Sequence, residues 1–485
     1  MTDTLTRLKT IYERAYPHLP IALQNAALST VGWHNGITCR GRGFARLLDE
    51  YEARTFADPG DIQELRNARL SAFLLHAYET VPYYRDLFDD LALHPSDITT
   101  LDDLAELPIL SKATVRERQR SFVSTSIPSR RRKLITTGGT TGSAFILATT
   151  IEAVQEQWAV AWRYFRWHGI GPKTWAALFG NPVAVPIRQK EPPFWRYDLA
   201  GRQIVFSSVH TSTDNLRYYV SELRKRKPPW IHGLASQITL LASHLIDTKT
   251  DLGYETRWIT TSSENFLPQH KDLIEKVFGV RPREHYAMVE AMANISECEL
   301  GKLHVDEEFG AVEFVPVNGS KYKVVGTNLT NPVTPLIRYD CHDQVTITPG
   351  DTCSCGRPGR VISSIDGRQE DYVVLKDGTR LGRLEHLFYS FTTVSEVQIR
   401  QSTIGEIQVL VRRLTSFTKD DDRRLRQEIS KWIRDGSRVT VEYVDEIERT
   451  PGGKLRFVVS SLDPEEAAGY EAMPQVALDE LAQRS

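Results

Sequence analysis

Eight consecutive residues, Thr136-Thr137-Gly138-Gly139-Thr140-Thr141-Gly142-Ser143, are glycine or carry a hydroxyl, and they lie between the apolar segments Leu134-Ile135 and Phe145-Ile146-Leu147. Glycine lets a main chain approach an anion closely, and successive backbone N–H groups can then enclose a phosphate. The hydroxyls add donors to phosphate oxygens or ligands to magnesium. No Gly-Lys-Ser/Thr follows at the Walker spacing, so a lysine acting on a nucleotide held here must come from elsewhere in the chain. Taken alone, the tract also fits a flexible linker.

Four further segments carry groups of the right chemistry. Thr261-Ser262-Ser263-Glu264 follows the strand-like Trp258-Ile259, and its small side chains leave room for a flat ring or a phosphate. Tyr286-Ala287-Met288-Val289-Glu290 pairs an aromatic ring with a carboxylate four residues on. Pro335-Leu336-Ile337-Arg338-Tyr339-Asp340-Cys341-His342-Asp343 ends in a carboxylate able to accept two ribose hydroxyls. Arg449-Thr450-Pro451-Gly452-Gly453-Lys454 sets one lysine beyond a tight turn. Singly, each also fits a core tyrosine, a surface carboxylate or an exposed turn lysine.

A separate signal comes from sulfur. Cys298 and His304, followed much later by Cys353 and Cys355 in Cys-Ser-Cys-Gly, supply three thiolates and one imidazole. That is a closed tetrahedral zinc set with no open position, as structural sites have. Cys341 and Cys39 have no partner pattern and fit packed thiols; His342 matches the ligand spacing less well.

The elements that must position these groups follow from periodicity. The first 125 or so residues read as mostly helical, with Ala72 to Tyr78 at helical spacing and a stop at Val81-Pro82. From Leu134 to about Val361, the runs Trp175 to Phe179, Arg257 to Thr260 and Lys323 to Gly326 alternate with helical stretches at Asn215 to Lys225 and Gln269 to Phe278. Alternation of that kind predicts an α/β fold. A second boundary falls near Gly367 to Asp371. Beyond it come Tyr372 to Leu375, a turn at Lys376-Asp377-Gly378, a helical stretch around Glu385, a strand pair Val394 to Arg400 and Glu406 to Arg412, a helix Asp420 to Ile433 and a strand Val439 to Val444. The expected organisation is a large domain over 1–368 and a small, mobile α+β lid over 369–485.

Composition narrows the function. Hydrophobic residues make up 41% and charged residues 25% of the 485, enough for a sizeable core. A net charge of -2 argues against nucleic-acid binding by bulk electrostatics, and the basic run Arg130 to Lys133 is short. No stretch approaches the roughly 18 to 20 apolar residues that a membrane span needs. The residues after Met1 read as a charged helix rather than a signal peptide, and five cysteines make no disulfide scaffold, so a cytoplasmic location is expected.

In this order, the motifs resemble those of the adenylate-forming superfamily, and most closely the phenylacetate–CoA ligase branch with its relatives from polysaccharide gene clusters. His76-Ala77-Tyr78-Glu79-Thr80-Val81-Pro82-Tyr83-Tyr84 and Glu106-Leu107-Pro108-Ile109-Leu110-Ser111-Lys112 match that branch's N-terminal segments. The resemblance implies ATP, magnesium and, as co-substrate, CoA. Thr137, Gly138, Gly139, Thr140, Thr141, Gly142 and Ser143 would cradle the β- and γ-phosphates. Ser262, Ser263 and Glu264 would sandwich adenine with Tyr286, Glu290 would hold magnesium, and Asp343 would bind the ribose with Arg368 assisting. Lys454 would neutralise charge on the α-phosphate and the incoming carboxylate, a role suited to a compact ammonium on a flexible stem. A carboxylic acid, aryl or apolar, would become an acyl-adenylate and pass to CoA after rotation about Glu370. An amine or hydroxyl acceptor, or a catalytically silent nucleotide-binding homologue, is the alternative. The acyl pocket of the resembled family maps to Trp162, Tyr164, Phe179, His232 and Gly233. Ala287, Val289, Glu370 and Ala144 depart from the family pattern, and none removes a charge that adenylation requires.

Overall fold

Helix boundaries follow local capping. Asp58 accepts the Gly60 N–H at 2.8 Å and Pro59 occupies the first position of the helix Pro59–Thr80. Val81 ends that helix in extended conformation, and Pro82 opens the next, Pro82–Asp90. Thr150 caps Ile151–Trp167 in the same way by accepting from the Ala153 N–H at 3.2 Å. This computed structural model describes residues 15–137, 145–180, 184–186, 188–208, 210–211, 213–264, 266–368, 372–376, 380–382, 384, 388, 391, 393–433, 436–449 and 455–462. Gly138 to Ser143, Glu370 and Lys454, and the side chains of Thr137 and Arg368, lie outside them. The chain forms two units, Met1–Gly36 with Pro172–Pro282 and Asp371–Ser485, and Ile37–Gly171 with Arg283–Glu370.

The first unit contains the parallel strands. Trp258–Ser262, Trp230–Gly233, Ala176–Phe179 and Gln203–Phe206 pair in that order, and Trp195–Asp198 adds an antiparallel edge. Parallel strands require crossovers, supplied here by Thr213–Arg226 and Ala235–Asp247. Pro268–Phe278 ends in Gly279, which adopts φ +71°. Phe179 stacks on Phe206 with centroids 4.8 Å apart, among Leu216, Tyr219, Ile231 and Ile238. Residues Ala235 to Leu245 of one helix are all buried, so that helix is enclosed on every side. In the C-terminal segment, Val394–Thr403 pairs antiparallel with Glu406–Arg413, and Arg438–Tyr443 and Val458–Ser460 flank the pair in parallel. Helix Lys419–Trp432 begins with a capping box between Thr418 and Asp421. Tyr372–Val374 and Arg380–Gly382 form the hairpin expected there; the stretch around Glu385 lies outside the described residues.

The second unit is antiparallel in its sheets. Arg283–Ala287, Asn294–Glu297, Leu303–Val305 and Val361–Ile362 pair in sequence. Gly310–Asn318, Lys321–Asn328, Tyr339–Thr346 and Ser364–Arg368 form another sheet. The run at Lys323 to Gly326 is thus a strand as expected, though its partners are hairpin neighbours rather than crossover strands. Its helices include Arg42–Ala53, Pro59–Thr80, Pro82–Asp90, Lys112–Glu117 and Ile151–Trp167, with a core built on Leu70, Leu74, Tyr84, Phe88, Phe122 and Leu336. Lys133–Thr137 pairs with Phe145–Thr149 in the register Thr137 to Phe145, so residues 138–144 connect two hydrogen-bonded strands. Among the described residues, no helix is long and apolar enough to cross a membrane.

Candidate active site and cysteine–histidine cluster

In a parallel sheet, ligands bind beyond the carboxyl ends of the strands, where loops converge. The first unit presents three such ends side by side. Ala176–Phe179 pairs Phe179 with Gly233, and Gly233 in turn pairs with Thr261. Gly233 has φ +147°, and a Cβ there would stand 1.8 Å from the Phe179 carbonyl oxygen, so only glycine fits. His232 holds Thr260 Oγ1 at 2.8 Å from its Nδ1, and burial pushes its pKa down to about 4, leaving a neutral ring.

After Ser262 the chain turns at Ser263, which adopts φ +69°. Glu264 then points at the first turn of helix Ala235–Asp247. Its Oε2 accepts the Ser236 N–H at 2.9 Å, an acidic group satisfying an orphan donor at a helix N-terminus. Its Oε1 accepts the Leu455 N–H at 3.0 Å. Leu455 directly follows Lys454, so the lysine's chain neighbour is bonded to the segment that ends strand Trp258–Ser262. Arg449, five residues before Lys454 in the sequence, donates to Ser236 Oγ at 2.9 Å and pairs with Glu396. With the Gln237 amide oxygen turned toward the guanidinium, Gln237 accepts from Arg449 at 3.0 and 3.2 Å and donates to Thr211 at 2.6 Å. Neither Ser236 nor Gln237 was expected as a site residue; they lie in an apolar helix with no motif of their own.

The second unit brings Tyr286 and Asp343 together. The Tyr286 hydroxyl donates to Asp343 Oδ2 at 2.7 Å, and Cys341 Sγ lies 3.7 Å from the same hydroxyl. Burial, and then the Asp343 charge, hold the Tyr286 phenol well above its ordinary pKa, so it stays a neutral donor. The Asp343 strand is shaped by its neighbours. Asp340 pairs with Lys323 at 3.0 Å and accepts the His342 N–H at 2.8 Å, while His342 adopts φ +63°. Asp343 stands opposite Arg368 in the adjoining strand. Downstream of Tyr286, Gln157 donates to the Met288 carbonyl at 2.7 Å and Asn328 to the Glu290 carbonyl at 3.1 Å, fixing the backbone that carries Glu290.

Three expected pocket rings are committed to packing. Tyr164 is fully buried and stacks on His285 at 4.9 Å, Trp162 is buried, and Phe179 belongs to the stack described above. Trp162 and Tyr164 share their helix with Arg163, whose guanidinium pairs with Asp306 at 2.6 Å and with Glu308, all three being buried.

Cys298, His304, Cys353 and Cys355 come together despite their separation in sequence, with ligand atoms all within 4.8 Å of one another. Cys298 and Cys353 sulfurs are 3.7 Å apart, and Cys355 Sγ is 3.4 Å from His304 Nε2. Tetrahedral zinc, about 2.3 Å from sulfur and about 2.05 Å from nitrogen, sets these separations at about 3.8 and about 3.5 Å. Burial, then the nearby Arg357 charge, lower the His304 pKa, so the imidazole is neutral and able to ligate. The thiols therefore meet the spacing and the donor chemistry of a structural zinc site. Arg357 secures the Cys353–Cys355 loop by lying 4.5 Å over the Trp167 ring and pairing with Glu299.

Comparison with known proteins yields a profile match and several relatives. Residues 374–461 match the CapK C-terminal domain. Protein CapK of Staphylococcus aureus is 26% identical over 453 residues, spanning 92% of this chain and 99% of the relative. A phenylacetate-coenzyme A ligase of Aromatoleum evansii is 31% identical over 360 residues, spanning 66% of this chain and 73% of the relative. Among solved structures, 2-hydroxyisobutyryl-CoA ligase in the postadenylation state superposes with a TM-score of 0.64 at 19% identity, covering 89% of this chain and 94% of that one.

Proposed function

Since the chain belongs to the phenylacetate–coenzyme A ligase family of AMP-forming acid ligases, we propose that it activates an aryl or apolar carboxylic acid as an acyl-adenylate and transfers the acyl group to CoA. The observation that carries this reading is the Leu455 N–H bonded to Glu264, which sets the residue after Lys454 at the end of strand Trp258–Ser262.

The roles follow from charge and donor type. Thr137 to Ser143 hold the β- and γ-phosphates of ATP, and Glu290 holds magnesium. Tyr286, with Ser262, Ser263 and Glu264, frames adenine. Asp343 accepts from the ribose hydroxyls, already oriented by the Tyr286 hydroxyl, and Arg368 assists from the neighbouring strand position. Lys454 supplies the charge that offsets the repulsion between two anions, the α-phosphate and the carboxylate, and lowers the barrier to their meeting. Residues 369–485 act as the mobile domain that carries the lysine, and 1–368 as the domain that binds ATP and acid. Cys298, His304, Cys353 and Cys355 hold a structural zinc ion that takes no part in the reaction. The enzyme works in the cytoplasm, where thiols of this kind stay reduced.

A second reading concerns the acceptor. The C-terminal segment matches that of CapK, whereas the likeness to the Aromatoleum ligase spans 66% of the chain. An amine or hydroxyl in place of CoA is the alternative acceptor. Incubation with ATP, magnesium and a panel of acids tests the first step, with AMP and pyrophosphate formed only when the matching acid is present. CoA and candidate amines, added to that acid, then decide the second. ATP binding without acid-dependent pyrophosphate across aryl, aliphatic and hydroxy acids would overturn the reading in favour of a silent homologue.

A further inference from the structure

We infer that the outward face of helix Ile21–Cys39 is a docking surface for an anionic lipid bilayer, on which the helix lies without crossing it. A surface helix ordinarily turns its apolar stripe to the core and its polar side to water. Here the order is inverted. The 19 residues of this helix include no Asp, Glu, Lys or Arg, and Gln24, Asn25 and Ser29 are spent on the protein side.

Those inward contacts close the edge of the first unit's sheet. Strand Trp195–Asp198 lies last in that sheet, so its outer N–H and C=O groups need partners from elsewhere. Asn25 Oδ1 accepts the Tyr197 N–H at 3.0 Å. Ser29 Oγ donates to the Tyr197 carbonyl at 3.3 Å and accepts the Leu199 N–H at 3.0 Å. Gln24 accepts from the buried Arg196 guanidinium at 2.6 Å. A Cβ on Gly32 would stand 2.1 Å from Asp198 Oδ2, so the helix lies flush on the strand end. With these residues inward, the 3.6-residue period turns Leu23, Ala26, Thr30 and Trp33 outward. All four are exposed, Trp33 by 61% and Leu23 by 51%, and Val31 flanks them. Leu199, 64% exposed and tied to Ser29 through its N–H, stands beside them. A contiguous apolar patch held rigidly toward water marks an interaction site.

Charge and area decide the occupant. From Ala15 to Leu48 the sequence holds no carboxylate, and Arg40, Arg42 and Arg46 follow the helix; Arg46 is shared with Glu50 at 3.2 Å. An apolar face carrying an exposed tryptophan, in an acid-free stretch ending in arginines, suits an anionic bilayer surface. Two copies of the same stretch would bring like charges together. A helix-wide strip of 19 residues, about 28 Å by about 10 Å, also falls well short of the roughly 1,200 Å² that a stable protein pair buries. Among the described residues no helix is long and apolar enough to cross a membrane, so the contact is lateral.

The test is flotation of the full-length chain with phosphatidylglycerol vesicles and, separately, with phosphatidylcholine vesicles, at low and high salt. Native protein should float with phosphatidylglycerol at low salt and be released by high salt. The double variant Leu23→Ser/Trp33→Ser, both positions being exposed, should keep its circular dichroism and lose vesicle affinity by about tenfold or more. Leu300→Ser, at an exposed apolar position elsewhere, should float like the native chain. Native protein that stays in solution with both vesicles would overturn the inference. So would undiminished flotation of the double variant, equal loss in Leu300→Ser, or equal binding to phosphatidylcholine at either salt. Sedimentation showing a native dimer that the double variant turns into monomer would assign the face to a second copy and overturn it too.

Discussion

Substituting Cys355 with serine should release zinc and loosen the second unit. Two donor pairs already stand at the separations of a metal-bound tetrahedron, 3.7 Å between Cys298 and Cys353 and 3.4 Å between Cys355 and His304, and all four donors lie within 4.8 Å of one another. Zinc binding to such a preformed set is therefore a direct stabilising contribution. Free zinc at a hundred times the dissociation constant stabilises the folded state by about 2.7 kcal/mol. The second unit has roughly 220 residues, and for a domain of that size each kcal/mol moves the melting temperature by about 2–4 °C. Loss of the ion should thus lower the melting temperature by about 5–10 °C. Elemental analysis of the native protein should find one zinc per chain, retained in Cys39→Ser and lost in Cys355→Ser, and a strong chelator should reproduce the thermal shift. Native protein purified under reducing conditions with negligible zinc, and a melting temperature indifferent to chelator and to added zinc, would refute the reasoning.

Three other outcomes follow from the same structure. Gly233→Ala places a Cβ 1.8 Å from the Phe179 carbonyl oxygen at φ +147°, so the variant should fail to fold or melt far lower, as read by circular dichroism. Arg163→Met leaves Asp306 and Glu308 buried without their shared cation and should cost about 3–5 kcal/mol in denaturant titration; adding Asp306→Asn and Glu308→Gln should recover much of it. His232 and His270 are both held down to about 4 by burial. Their contribution to stability is complete above the ordinary histidine pKa near 6.5 and drains away as the pH falls toward 4. Denaturation midpoints should therefore drop between pH 6.5 and 4, and less steeply in His232→Gln; identical slopes would contradict the assignment.

Periodicity in the sequence identifies strands at Trp175 to Phe179 and Arg257 to Thr260, helices at Asn215 to Lys225 and Gln269 to Phe278, and the C-terminal pair beginning at Val394, because each has strong local patterning between clear breakers. Pairing was another matter. The run at Lys323 reads the same whether its neighbours are parallel or antiparallel, since strand propensity carries no direction. The Cys/His set was legible because thiolates so sparse and so closely spaced have few other uses. Tyr286 and Asp343 were recognisable as chemistry, but their 2.7 Å bond depends on two strands far apart in sequence. Ser236 and Gln237 were not legible: a serine and a glutamine in a buried helix become informative only when Arg449 and Glu264 are seen against them. The Trp162, Tyr164 and Phe179 rings misdirect for the opposite reason, being large enough to line a pocket and equally able to fill a core.

The central claim is that Lys454 supplies the charge that makes adenylation possible. Acid-dependent ATP–pyrophosphate exchange, measured in the native chain and in Lys454→Ala after circular dichroism has shown equal folding, tests it most directly. Exchange should fall in the variant by about a hundredfold to a thousandfold, the scale expected when one group stabilising transition-state charge is removed. Undiminished exchange in a folded Lys454→Ala protein would contradict it.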